Sequence, residues 1–251
     1  MARVVIIGAS IGGLPAAYEA RALFAKKHKV TVISNVESFH FVPSNPWVAV
    51  GWRTRKDISF ALGPVLEKKG IEYIHATADR IEPEQNRVIT SKGEVTYDYL
   101  IIATGPKLNF GAVPGLGPSG YTQSICNVDH AEQAWGSYQA FLKNPGPIVV
   151  GAAQGASCFG PAYEMAFILD TDLRKKKLRK KVPIYFVTPE PYVGHMGLAG
   201  VGASRRLMED EFAEHSIKPI PNSAIKEIQP GKAVLEDGQE IPFRYSMFIP
   251  P

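Results

Sequence analysis

One cysteine in a glycine-rich turn is the residue of this sequence best suited to chemistry. Cys158 lies within Gly155-Ala-Ser-Cys-Phe-Gly-Pro161, soon after the apolar run Ile148 to Val150. In a strand, turn and helix unit such a turn normally holds a phosphate, whereas here it carries a thiol. The thiolate is the nucleophilic form, and a position at the start of a helix favours it. The segment therefore predicts sulfur chemistry at Cys158.

The alternative for each cysteine is a thiol without a chemical role. Cysteine is often a small hydrophobic residue of a core, so Cys158 could be structural. Cys126 lies in a loop before a helix, and either a sulfur relay or an inert surface thiol is compatible with that position. Two cysteines in 251 residues do not form a disulfide scaffold.

The N-terminus contains the elements of a nucleotide-binding unit. A β-branched run, Arg3 to Ile7, is followed by a glycine-rich turn and by a helix-forming stretch, Leu14 to Lys26. In such units the first glycine permits the turn, a small second residue admits a pyrophosphate, and the last glycine lets the helix pack on the strand. A purely structural turn is the alternative. Gly8, Ser10 and Gly13 occupy these three positions, and Gly12 lies between the last two.

The second strand ends in neutral residues. It runs from Lys29 to Ser34 and Asn35, where an acidic residue usually binds the adenosine ribose. A neutral group forms a weaker hydrogen bond with a ribose hydroxyl than a carboxylate does. The substitution therefore argues against NAD at this first site more strongly than against FAD, which binds along a longer surface.

Composition limits the class of protein. The chain has 45% hydrophobic residues, enough for one large or two small domains, and its net charge of +4 does not indicate nucleic acid as a partner. The basic run Arg174 to Lys181 suits a solvated helix end, with a phospholipid or protein contact as the alternative. We expect no cleavable signal peptide and no transmembrane helix, which leaves peripheral membrane association open.

The order of strands and helices occurs twice. Tyr97 to Gly105 is predicted to end the first series with a buried strand. The second series contains a strand at Ile148 to Val150, a helix at Cys158 to Leu173, a strand at Val182 to Thr188 and a helix at Ala203 to His215. We therefore predict an α/β protein with tandem Rossmann-like FAD/NAD(P)-binding three-layer domains. The predicted domains are residues 1–115, which bind FAD, and residues 116–251, which carry the redox cysteine.

Six segments make the prediction more specific. Together and in this order they resemble sulfide:quinone oxidoreductase, in the FAD-dependent pyridine nucleotide-disulfide oxidoreductase superfamily. The segments are Gly8 to Glu19, Phe41 to Trp47, Ile102 to Lys107, Ser124 to His130, Gly155 to Glu164 and Glu190 to His195.

The resemblance implies FAD as cofactor, oxidation of hydrogen sulfide to sulfane sulfur or polysulfide, and electron delivery to a membrane quinone. It implies that Cys158 carries sulfur close to the flavin and that Cys126 is an accessory cysteine. Polar residues on the sulfide side, expected to hold or transfer protons, are His130, Glu164 and His195. The resemblance also places the flavin or its adenosine part beside Pro43, Ser44, Ala78, Thr104 and Gly105. No metal is expected.

The same resemblance implies what a complete enzyme contains. Family members continue beyond Met247 to Pro251, so we expect three parts to lie outside this sequence. These are the return segment of the FAD domain, a second redox cysteine, and C-terminal helices that bind quinone and the membrane surface. The sequence leaves open a homo-oligomer.

Three alternatives to this function remain. One is the flavoprotein of a flavocytochrome c sulfide dehydrogenase, and another is an inactive, truncated FAD-fold module. A type II NADH dehydrogenase is the third. It would need an open nicotinamide site, whereas the second glycine-rich turn, Gly151 to Ala156, has alanine at its second and third fingerprint positions.

Overall fold

The computed structural model describes residues 1–24 and 26–251 and contains two compact units. The first comprises Met1–Phe41 and Lys56–Lys107, and the second comprises Val42–Arg55 and Leu108–Pro251. Each contains a four-stranded parallel sheet, so the predicted α/β class is confirmed. The division at residue 115 stays a prediction. Within the described ranges, no helix is long and apolar enough to cross a membrane.

The first unit is built on a parallel sheet of order β5-β2-β1-β9, together with an antiparallel sheet β6-β7-β8 and the two-stranded antiparallel sheet β3-β4. The elements of residues 1–107 are β1 (Arg3–Ile7), α1 (Gly13–Leu23), β2 (Lys29–Ser34), β3 (Ser38–His40), α2 (Asn45–Ala49), β4 (Ser59–Ala61), α3 (Leu62–Glu67), β5 (Glu72–His75), β6 (Ala78–Glu82), β7 (Arg87–Thr90), β8 (Gly93–Thr96) and β9 (Tyr99–Ile102). Of these, α2 belongs to the second unit.

Helix α1 packs on the sheet through small and apolar side chains at helical spacing. Leu14, Ala17 and Ala20 are buried in one core with Val4 and Ile6 of β1. The helix ends at Leu23, earlier than predicted, and Ala25 within the predicted range lies outside the described residues.

Strand β9 corrects one prediction. The segment Tyr97 to Gly105 was expected to form a buried strand, but Tyr99 is 64% exposed and Ile102 is 60% exposed. The reason is position, because β9 is the edge strand of its sheet and pairs only with β1 among the described strands.

The second unit repeats this plan with a parallel sheet of order β12-β11-β10-β16 and an antiparallel sheet β13-β14-β15. Its further elements are α4 (Val128–Lys143), β10 (Ile148–Ala152), α5 (Gly160–Lys175), β11 (Ile184–Val187), α6 (Ser204–Glu214), β12 (Ile217–Ile220), β13 (Ile225–Gln229), β14 (Lys232–Leu235), β15 (Glu240–Pro242) and β16 (Tyr245–Ile249). All five residues of β10 are buried, as expected of a central parallel strand.

A buried carboxylate near the end of α5 binds several basic side chains. Asp170 accepts hydrogen bonds from Arg174 at 2.7 Å and from Arg179, and it lies 2.6 Å from His215 Nδ1. Burial alone would raise the pKa of the Asp170 carboxyl, but these hydrogen bonds hold it below its usual value. Arg174 and Arg179 of the basic run therefore form ion pairs with a buried carboxylate of the second unit.

Asp172, two residues further along α5, connects residues 42–55 to the rest of the second unit. Its carboxylate accepts from Trp52 Nε1 at 2.8 Å and from the Tyr138 hydroxyl at 2.8 Å. Lys176 Nζ donates to it at 2.6 Å. These contacts explain why this short segment packs with the second unit.

We expect Asp170→Asn to lower the free energy of unfolding at pH 7 by about 3 kcal/mol, because it removes the charge of a buried carboxylate that pairs with Arg174 and Arg179. A lowered carboxyl pKa stabilises the fold above the unfolded-state pKa, and the contribution is lost as pH falls through the folded-state pKa. Urea unfolding should therefore show a difference at pH 7 that shrinks below about pH 4.

The matched control is Asp210→Asn on α6, since Asp210 is exposed and lies 3.6 Å from Arg206. Its effect should be below about 0.5 kcal/mol. Equal destabilisation by Asp170→Asn at pH 7 and pH 3 would contradict the assignment.

Candidate functional site

A pocket of about 240 Å³ lies at the carboxyl ends of the first unit's parallel strands. Its lining carries no ionisable side chain, and it is smaller than the roughly 300–1,000 Å³ of pockets that enclose a drug-sized ligand. It is therefore suited to part of a dinucleotide. The lining residues are Ile7, Gly8, Ile33, Ser34, Asn35, Ala76, Thr77, Ala78 and Thr104. The predicted cofactor residues among them are Gly8, Ser34, Asn35, Ala78 and Thr104.

Two glycines of the turn are required by close packing. Gly8 has φ +100°, and a Cβ there would lie 2.2 Å from the Ala103 carbonyl oxygen. A Cβ on Gly13 would lie 1.9 Å from the Gly8 carbonyl oxygen. At Gly12 the nearest atom would be Ala103 Cβ at 3.7 Å, so this position tolerates a side chain. The close approach brings the start of α1 directly onto the turn.

The N-terminus of α1 is suited to an anion. No side chain caps it, and its first turn contains no acidic residue. Ser10 and Gly12 are both exposed at this end. Uncapped N–H groups and the positive end of the helix dipole favour a phosphate. The turn and the pocket therefore fit a dinucleotide cofactor.

The other predicted cofactor residues lie outside this pocket's lining. Gly105 follows Thr104 with φ +76° and is exposed. Pro43 and Ser44 belong to the second unit, where Pro43 is exposed. Ser44 is buried, and its Oγ accepts a hydrogen bond from Arg53 at 2.7 Å. Their cofactor roles stay predictions.

Cys158 lies in the loop between β10 and α5. It is exposed, and α5 begins at Gly160, two residues after the predicted start of the helix at Cys158. The loop is held by Gln154, whose side-chain amide donates to the Ile225 carbonyl at 2.8 Å and accepts from the Ile225 N–H at 3.0 Å. Gly151, before this loop, has no room for a Cβ, which would lie 1.9 Å from the Val187 carbonyl oxygen.

Cys126 and His130 share a buried hydroxyl. Ser124 Oγ accepts from the Cys126 N–H at 3.2 Å and lies 3.2 Å from His130 Nδ1. Asn127 caps α4 by accepting from the His130 N–H at 2.8 Å. Burial lowers the pKa of the His130 imidazole, although Asp129 opposes this effect. His130 is therefore neutral at pH 7 and able to accept a proton.

The two thiols interact electrostatically. Burial raises the pKa of the Cys126 thiol, a hydrogen bond with Ser124 lowers it, and the nearby Cys158 raises it again. Burial and the raised pKa therefore disfavour the thiolate of Cys126 at neutral pH.

Glu164 and His195 have no direct hydrogen bond or ion pair with either thiol in residues 26–251. Partial burial raises the pKa of the Glu164 carboxyl, which remains solvent-accessible on α5. His195 lies in the loop after β11, and its Nδ1 is buried without a hydrogen-bond partner. No group of three or more potential metal ligands is present in the described ranges.

Some residues at this site were not predicted from the sequence. Ser124 links the cysteine to the histidine, and the buried Asn45 donates to the Ile125 carbonyl at 2.9 Å, next to Cys126. Tyr163 and Glu190 are hydrogen-bonded to each other at 2.8 Å. All four lie within the segments that carry the family resemblance, which is the one signal that was available.

The fold and the site define a dinucleotide-binding α/β protein that presents two thiols. The model of the family described as pyridine nucleotide-disulphide oxidoreductase matches residues 2–249, and the chain belongs to this family. Membership implies a flavin cofactor.

The relatives include sulfide enzymes. The chain is 47% identical to the sulfide-quinone reductase of Aquifex aeolicus over 98% of this chain and 58% of the relative. The X-ray structure of the sulfide:quinone oxidoreductase from Aquifex aeolicus matches with a TM-score of 0.94 and 45% identity, over 100% of this chain and 58% of that one. The resemblance predicted from the sequence is confirmed. The chain spans less than two thirds of the length of these proteins.

A third relative belongs to another class. An NADH dehydrogenase-like protein of Mycobacterium tuberculosis is 28% identical over 96% of this chain and 60% of its own length. The tandem plan is therefore shared beyond the sulfide enzymes.

We expect Gly13→Ala to lower the free energy of unfolding by about 3 kcal/mol, because the added Cβ overlaps the Gly8 carbonyl. The control is Gly12→Ala, which has room for the methyl group and should change stability by less than about 1 kcal/mol. Urea unfolding measures both. Similar losses for the two variants would show that the close contact at Gly13 does not limit this turn.

We expect iodoacetamide to modify Cys126 more slowly than Cys158 at pH 7.5, because burial and a raised pKa both disfavour its thiolate. Removing the neighbouring thiol with Cys158→Ser should speed modification of Cys126. Peptide mass spectrometry over time gives both rates. A Cys126 rate that is unaffected by Cys158→Ser would contradict the coupling.

Proposed function

We propose that this chain is part of a flavin enzyme that oxidises hydrogen sulfide to sulfane sulfur and transfers the electrons to a quinone. The observation that carries the proposal is the exposed thiol of Cys158, which follows the buried central strand β10 where a dinucleotide fold normally holds a phosphate. The relatives named for sulfide and quinone support it. Because the chain spans 58% of the first relative, the activity is assigned to the whole protein.

The cofactor of the proposal is FAD. The glycine-rich turn and the start of α1 would hold the pyrophosphate through backbone N–H groups. Ser34 and Asn35 would hydrogen-bond the ribose, and Ala78 would lie beside the adenine, since all three line the pocket. Bound flavin supplies a two-electron acceptor. The close packing at Gly8 and Gly13, which brings the start of α1 onto the turn, supports this assignment.

Cys158 is the residue proposed to carry sulfur. Loss of two electrons and two protons converts hydrogen sulfide to sulfane sulfur held at a cysteine, and quinone takes up two electrons and two protons. Exposure of Cys158 gives sulfide access to it. Cys126, whose thiol pKa is raised by burial, is proposed as an accessory thiol.

Three groups are proposed to handle protons in the reaction. Burial lowers the pKa of His130 and favours its neutral form, which has an unprotonated ring nitrogen to accept a proton from hydrogen sulfide. Glu164 can hold a proton closer to neutral pH than an ordinary carboxyl, because partial burial raises its pKa. His195 is proposed as a third proton-transfer group.

A nicotinamide electron donor is less well supported than sulfide. The glycine-rich turn that begins at Gly151 has Ala153 and Ala156 at its second and third fingerprint positions, and both ends of the Gln154 side-chain amide are hydrogen-bonded to Ile225. The loop is therefore held by hydrogen bonds within the second unit, and it presents Cys158 where a nicotinamide dinucleotide would place a phosphate. Peripheral membrane association follows from the proposed quinone, which is a membrane substrate.

We expect Cys158→Ser to reduce sulfide-dependent flavin reduction by roughly 100-fold or more, about 2.7 kcal/mol in the barrier, while flavin absorbance is retained. Serine keeps the size of the side chain and removes the sulfur nucleophile. Anaerobic stopped-flow absorbance of the whole protein measures the rate.

Cys126→Ser is the matched control and should have a smaller effect. Equal rates for wild type and Cys158→Ser would rule out the sulfur-carrying role. Comparing a soluble quinone with cytochrome c as electron acceptor separates the proposed enzyme from a flavocytochrome type.

A further inference from the structure

A buried carboxylate after β11 is bound by neutral groups. Glu190 is 3% exposed and accepts hydrogen bonds from the Tyr163 hydroxyl at 2.8 Å, the Thr188 hydroxyl at 2.7 Å and the Met196 N–H. No ion pair to it is present among the described residues. A buried charge is costly unless it is paired or hydrogen bonds satisfy it. Asp170 is paired with arginine side chains, whereas Glu190 is bound by hydroxyl and N–H donors.

Tyr163 joins this carboxylate to the following loop. Its hydroxyl donates to Glu190 and accepts from the Gly194 N–H at 2.9 Å. Its ring packs against Phe186, with centroids 4.4 Å apart, and against Phe212 at 5.7 Å. The position of the hydroxyl is therefore fixed by the core of the second unit.

The two N–H groups held in this way flank His195. Tyr163 binds the residue before it and Glu190 binds the residue after it. The backbone of His195 is thus fixed at both sides. Its buried Nδ1 lacks a hydrogen-bond partner, so nothing in the described residues fixes the ring through that atom.

The same loop lies against the residue next to the exposed thiol. A Cβ on Gly197 would lie 3.3 Å from the Phe159 ring, and Gly197 has φ +72°. Phe159 directly follows Cys158. A displacement of the loop would therefore alter the surroundings of Cys158.

We propose that Glu190 is a positioning residue which, with Tyr163, fixes His195 and holds residues 194–202 against Phe159. It thereby places this loop on one side of the exposed Cys158, where it restricts access from that side, and it places the His195 imidazole for proton transfer. The part that concerns proton transfer rests on the proposed function, whereas the part that concerns access to Cys158 does not.

The first test compares Glu190→Gln and Tyr163→Phe in the whole protein. Both substitutions preserve shape and weaken the hydrogen bonds to the loop. We expect the iodoacetamide rate of Cys158 and the hydrogen exchange at Gly194 and Met196 to rise about tenfold, as for loss of a charged hydrogen bond. The control is Glu209→Gln, because Glu209 is exposed and pairs with Arg205 on α6. It should change neither rate.

The second test uses His195→Asn as a background for sulfide turnover. We expect Glu190→Gln to lower kcat about tenfold with less than a twofold change in the KM for sulfide. In the His195→Asn background it should cause no further loss, because the residue acts through His195. An equal loss in both backgrounds would overturn the positioning role.

The outcomes separate this inference from the proposed function. Unchanged alkylation and exchange in both variants would overturn the control of access, and if Glu190→Gln does not fold, Tyr163→Phe alone decides. Absence of sulfide turnover in the wild type would overturn the proposed function and the role in proton transfer. It would leave the access measurement intact.

Discussion

Both units depend on a glycine that lets two backbone segments meet without a side chain between them. At Gly8 the contact is with the carbonyl of Ala103, and at Gly151 it is with the carbonyl of Val187. Each contact lies at or near the carboxyl end of the first parallel strand of its unit. It sets the point from which the following loop leaves the sheet. In the first unit that loop is a turn that leads into α1 and is suited to a dinucleotide. In the second unit it presents Cys158. The same steric requirement for glycine therefore precedes both the dinucleotide-binding turn and the loop of Cys158.

Helix α5 combines two ways of keeping carboxylates inside the second unit. Near its end, Asp170 and Asp172 are matched by cations, which use part of the basic run that the sequence alone left as a solvated or lipid-binding feature. In its first turns, Tyr163 reaches Glu190, whose charge is met by hydroxyl and N–H donors. The first arrangement fixes the helix against its neighbours. The second arrangement holds the Glu190 carboxylate close to the loop that contains His195, where proton transfer is proposed.

Strands and turns, which depend on local sequence, were predicted. Contacts between residues far apart in the sequence were not. The β-branched runs and the glycine spacing gave the parallel strands and the turn, because strand propensity and φ requirements are local properties. The exposure of β9 was not predictable, since an apolar run does not show whether its strand lies at a sheet edge. Likewise, Ser124 carries no pattern of its own. Its contact with His130 arises from the packing of a loop on α4, and the role of Glu190 needs Tyr163, which lies 27 positions earlier.

Under the proposed function, electrons enter this protein from sulfide. The most direct test of this claim is the visible absorption spectrum of the purified whole protein under anaerobic conditions, after addition of sulfide or, separately, NADH. We expect a flavin spectrum that bleaches rapidly with sulfide and persists with NADH. A flavin that bleaches with NADH and is unaffected by sulfide would contradict the claim and assign the protein to the nicotinamide-dependent relatives.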